Sequence, residues 1–162
     1  MKKTITTIAL ALVALCALAQ SPKNIYSKYS DEKGVSAVYI SPAMFRLIGR
    51  IPDIEMGGGE VDLAPIIKSL SGMYILDCEN AKVADRLLAD VKKYIGSGDY
   101  ELLMEAREDG QLFRMYTVGD EKVVKSFVLV SSEPGETSFI SFEGEIPREK
   151  LEEAVAGASS RY

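Results

Sequence analysis

Residues 99–147, DYELLMEAREDGQLFRMYTVGDEKVVKSFVLVSSEPGETSFISFEGEIP, decide the fold. Four runs rich in β-branched, aromatic and aliphatic residues follow one another here: Tyr100 to Arg107, Gln111 to Val118, Lys122 to Ser131 and Thr137 to Glu145. Each has the length and composition of a strand. Asp109-Gly110 joins the first two and is the strongest hairpin signal in the chain, because both residue types tolerate the positive φ that a two-residue turn demands. Gly119-Asp120 and Glu133-Pro134-Gly135-Glu136 supply the next two turns. A four-strand antiparallel meander is therefore predicted.

Upstream of the meander, strands alternate with helices. Val35 to Ile40 reads as a strand, and Ser41-Pro42 then opens a helix, with Ser as N-cap and Pro in the first turn. Asp62 can cap a second short helix through Leu70, and Met73 to Cys78 reads as a strand after the Ser71-Gly72 break. Asn80 caps the clearest helix, in which Val83, Leu87, Val91 and Ile95 recur every four residues. Pro147 begins a last helix with Leu151, Ala154 and Val155 inward. The order β-α-α-β-α-β-β-β-β-α predicts an α+β two-layer sandwich, an antiparallel or mixed sheet of about six strands with helices packed on it.

The first nineteen residues have the pattern of a cleaved signal peptide. Lys2 and Lys3 precede an apolar run from Ile5 to Leu15, and Ala17-Leu18-Ala19 satisfies the small-x-small rule, so cleavage is expected between Ala19 and Gln20. The expected divisions are 1–19 as signal peptide, 20–33 as a polar leader and 34–162 as one domain. Cys16 raises the alternative of a lipid anchor, but Leu15 stands where a lipoprotein signal has a small residue. Export to the periplasm or envelope follows, with membrane attachment only through Cys16. Without residues 1–19 the balance is 17 basic against 24 acidic residues, a net charge of −7, and Cys78 is the one remaining thiol. No internal disulfide can then form.

Composition excludes much chemistry. The 162 residues contain no His, so no Ser/His/Asp or Cys/His nucleophile and no imidazole metal ligand can be built. The net charge of −5 and the lack of a basic block argue against a nucleic-acid partner. Gly57-Gly58-Gly59 is followed by Glu60-Val61-Asp62 rather than Lys-Ser/Thr, which fails the phosphate-loop pattern and reads as a loop. Cys78, flanked by Asp77 and Glu79 with no second Cys or His nearby, reads as a core thiol. Asp53, Glu55, Glu60 and Asp62 cluster without the spacing of a calcium loop. No cofactor, metal or catalytic residue is expected.

The informative excess is apolar surface on the meander. Phe113 and Met115 point one way and Leu112, Tyr116 and Val118 the other; Val123, Phe127 and Leu129 likewise oppose Val124, Val128 and Val130. Both faces are apolar. Either helices cover both, or one face is left for a partner. Leu112, Tyr116 and Val118 are the expected interaction surface.

Several segments together resemble the domain-of-unknown-function 4252 family of small exported bacterial proteins. They are Tyr29-Ser30, Gly34 to Ser41, Ala43 to Arg46, Gly72 to Leu76, Tyr100 to Met104 and Ser138 to Ile146. The resemblance implies an envelope location, often with a lipid anchor, and no activity. The reading is thus a non-enzymatic exported module that binds a protein partner or a second copy of itself through an apolar sheet face. One alternative is a small apolar ligand or lipid held between helices and sheet. A more distant one is a carboxylate-based hydrolase.

Overall fold

A computed structural model describes residues 21–48 and 64–159. The short helix α1 (Pro22–Tyr29) is capped by Ser21, whose hydroxyl accepts from the Asn24 amide at 3.2 Å. This segment, set apart from the domain by its polarity, in fact contributes to the core, because Ile25 and Tyr29 on one side of α1 are buried. The strand β1 (Val35–Ile40) follows and leads into α2 (Pro42–Ile48), begun at Ser41. The next described element is α3 (Ala64–Ser69), which runs straight into β2 (Leu70–Cys78). Then α4 (Ala81–Gly96) starts at Asn80, whose side chain accepts from the Val83 amide. The meander is β3 (Glu101–Glu108), β4 (Gln111–Gly119), β5 (Val123–Glu133) and β6 (Glu136–Pro147), and α5 (Arg148–Ser159) closes the chain.

The six strands form one open antiparallel sheet in the order β1-β2-β6-β5-β4-β3. This is the predicted α+β class with the predicted element order. The last strand, β6, slots between β2 and β5, so the sheet centre is made of strands far apart in sequence. The turns follow their residues: Asp109 (φ 46°) and Gly110 (φ 87°) make a type I′ hairpin, and Pro134-Gly135 has Gly at φ 91°, as a type II turn requires.

Two glycines placed as breaks or turns lie inside the sheet. Gly72 is within β2, where the pairing with β6 shifts register between Leu70 and Gly72. Gly119 ends β4 at another shift, where a Cβ would come within 2.2 Å of the Val123 carbonyl oxygen. Close approach of another backbone explains Gly119, whereas a Cβ at Gly72 would meet only the Tyr74 ring, at 3.5 Å.

The core lies between the sheet and the pair α1–α4. Val83, Ala84, Leu87 and Val91 of α4 meet Leu76 and Cys78 of β2, Phe139 of β6 and Val128 and Val130 of β5. Lys28 and the Tyr29 hydroxyl both donate to Asp90, at 2.5 and 2.7 Å, and so fasten α1 to α4. Helices α2, α3 and α5 gather near β2 and β6 and touch one another through α3.

Candidate functional site

Burial along the central strands alternates with period two, as in a sheet with one face more closely covered than the other. Facing α1 and α4 are Tyr74, Leu76 and Cys78 of β2, Val124, Ser126, Val128 and Val130 of β5, and Thr137, Phe139 and Ser141 of β6, all buried. The residues between them point to the opposite face. In most antiparallel sheets with a free face those positions are polar. Here they are Met73, Ile75, Phe127, Leu129, Ile140 and Phe142, and none of them is buried.

The pairing register turns these residues into a continuous surface. Val38 lies opposite Ile75, Ile75 opposite Ile140, Ile140 opposite Leu129, Leu129 opposite Met115, and Met115 opposite Met104. One apolar side chain from each of the six strands thus forms a single row across the sheet. A second row, Ile40, Met73, Phe142 and Phe127, runs beside it. On the other flank Ser36, Asp77, Ser138 and Ser131 form a polar border, in which the Ser138 hydroxyl donates to Asp77 at 2.6 Å. The row ends in exposed residues, Val38 at 44% and Met104 at 47% of full exposure. The band is thus two apolar rows wide and has a polar border along one flank.

Leu112, Tyr116 and Val118 lie on the opposite, α4-facing side, in register with Ser132, Val128 and Ser126. All three are half-buried. Tyr116 packs against the core cluster, and with Leu112, Leu88 and Ile95 it lines a narrow crevice between α4 and β4. The two meander faces read from the sequence are therefore two faces in the structure, and the more open one carries Phe113, Met115, Phe127 and Leu129. Alternation alone could not decide between them; the cross-strand register does, and it requires knowing that β6 sits between β2 and β5.

A polar group interrupts the core near the C-terminal end of α4. The Tyr94 and Tyr100 hydroxyls are hydrogen-bonded and their rings meet edge to face at 5.2 Å. Glu143, in register with Ser126, lies on the same face as the buried Ser141. Burial raises the Glu143 carboxyl above the ordinary range, and it raises the Tyr74 phenol to about 12. Among the described residues the Ser141 hydroxyl has no hydrogen-bond partner.

Other chemistry is sparse. Cys78 is fully buried, its thiol 3.6 Å from the Asn80 carbonyl. Asp99, Glu101, Asp120 and Glu121 line one surface groove with Arg148. Asp120 there accepts from the Lys122 and Val123 amides, both at 2.9 Å, and these bonds hold its carboxyl below the ordinary range. A carboxylate held ionised in a turn is unsuited to act as a general acid. Among the described residues no three His, Cys, Asp or Glu side chains are grouped as metal ligands. No described helix is long and apolar enough to cross a membrane. Cys16, the Ala19–Gln20 cleavage position and the glycine-rich segment 57–59 lie outside the described residues.

The fold and its surface define a class: an α+β protein with an open antiparallel sheet, helices α1 and α4 on one face and an apolar band on the other. A family model, "Domain of unknown function (DUF4252)", matches residues 29–154, and the chain belongs to that family. No curated protein matches it, and no solved structure does.

Proposed function

We propose that this chain is an exported envelope protein without catalytic activity, which binds a protein or a second copy of itself through the open sheet face. The observation that carries this reading is the row Val38, Ile75, Ile140, Leu129, Met115 and Met104, apolar on all six strands and buried on none. Leaving a continuous apolar band in water costs about 25 cal/mol per Å2, so such bands are kept where a partner covers them. The signal-peptide pattern of residues 1–19 supports the location.

A photo-crosslinking residue at Leu129 or Ile140, introduced in producing cells, tests the binding role. It is expected to trap a defined protein or a second copy, whereas the same residue at the exposed Lys82 of α4 traps neither. Indistinguishable patterns from the two faces would overturn the reading. N-terminal sequencing of the cell-associated protein tests export and is expected to begin at Gln20.

A further inference from the structure

The strand β3 is an edge of the sheet, and every residue from Glu101 to Glu108 is exposed. Its outer side carries backbone donors and acceptors with no strand of the described residues beside them. A long exposed edge is a template for pairing, which natural proteins normally block with a bulge or with repelling charge. The bulge in β3 lies between Leu102 and Met104, so residues 104–108 remain regular.

The hairpin settles which backbone groups are free. A two-residue type I′ turn closes on a hydrogen-bonded pair, here Glu108 with Gln111, so Ala106 with Phe113 and Met104 with Met115 are also hydrogen-bonded to β4. Glu105 and Arg107 therefore direct their N–H and C=O groups outward. Their side chains share one face, opposite Arg114 and Leu112.

We propose that β3 pairs with β3 of a second copy of this chain, antiparallel about a two-fold axis through Ala106. Directly opposed residues in an antiparallel pair must lie on the same face, which leaves only registers centred on a residue. Centring on Glu105 sets Glu105 against itself, and centring on Arg107 sets Arg107 against itself; both oppose like charges. Centring on Ala106 places Glu105 opposite the partner's Arg107 and Arg107 opposite the partner's Glu105. The same two residues exchange main-chain hydrogen bonds across the axis. Ala106 then faces its own copy as a non-hydrogen-bonded pair, in which Cα atoms approach to about 4.5 Å and a small side chain fits. In the single chain Arg107 reaches along its strand to Glu105 at 2.8 Å, while Glu105 also accepts from Arg114 at 2.7 Å, so the acid is held in position for a second cation. Pairing joins two six-stranded sheets into one, with Met104 at the end of each apolar row opposite the partner's Glu108.

This inference stands on the edge and its charges, independently of the open-face reading. Light scattering coupled to size exclusion on the full chain tests it, with Glu105→Lys and Arg107→Glu as separate variants. Wild type is expected to be a dimer. Each variant alone opposes like charges at both positions and is expected to be a monomer with unchanged circular dichroism. An equimolar mixture of the two restores opposite charges at both and is expected to return to dimer, which loss of folding could not produce. A monomeric wild type overturns the proposal, as does a dimer that survives both substitutions. Should that surviving dimer dissociate on Leu129→Asp instead, the edge is excluded and the open-face reading stands.

Discussion

Glu143 and Asp90 show how single side chains respond to their place in this fold. The Glu143 carboxyl is raised because burial penalises its charged form, so the folded chain holds that proton to a higher pH than the unfolded chain, whose carboxyl titrates near 4.5. Stability attributable to Glu143 therefore falls as pH rises from about 4.5 through the raised value. Glu143→Gln is expected to raise the unfolding free energy from urea titration at pH 7, by less than about 1 kcal/mol for a half-exposed group, and to have no effect at pH 3. Asp90 has the opposite sign. Burial works against its charged form, but hydrogen bonds from Lys28 and Tyr29 more than offset this and hold it below its ordinary 3.8. Its contribution is complete above about 3.8 and is lost as pH falls through the lowered value. Tyr29→Phe, which removes one of those donors from a buried ring, is expected to cost about 0.5–1.5 kcal/mol in denaturant unfolding at pH 7.

At the scale of elements, α4 and the β2–β6 contact set most of the architecture. Leu87 is fully buried against the sheet, and Leu87→Ala is expected to cost about 2–5 kcal/mol, read from the shift of the unfolding midpoint. Gly144 lies inside β6, where a Cβ would come within 2.4 Å of the Ser69 carbonyl oxygen, whereas nothing lies within 4 Å of a Cβ at Gly96. Gly144→Ala is therefore expected to destabilise by about 1–3 kcal/mol and Gly96→Ala to change stability by less than about 1 kcal/mol. Helix α4 and the hairpin turns were legible in the sequence because their signals are local: a four-residue apolar repeat, an Asn cap, an Asp-Gly pair. The requirement at Gly144 was not, because the backbone that approaches it belongs to Ser69 and Leu70, far back in the chain, and nothing local marks it. The helix α1 was obscured for a related reason, since only Pro22, Ile25 and Tyr29 of a polar segment are buried.

For the whole molecule, the central feature is an antiparallel sheet that is apolar on both faces and sheltered by α1 and α4 on one. The sequence showed two apolar faces on β4 and β5, and so showed that surface was at stake. It pointed to Leu112, Tyr116 and Val118, which lie on the side of α4. The row across the six strands becomes visible only once β6 is known to separate β2 from β5, because long-range pairing carries no local signal. The central claim is that this row is surface in the folded chain, and its cost on replacement measures this most directly. In the triple variant Ile75→Thr, Leu129→Thr, Ile140→Thr, threonine keeps the β-propensity while making the band polar. Urea unfolding of the full chain is expected to give a stability within about 1.5 kcal/mol of wild type, as for exposed positions. A loss of about 5 kcal/mol or more, the sum expected for three core truncations, would show that the row is interior and would contradict the account.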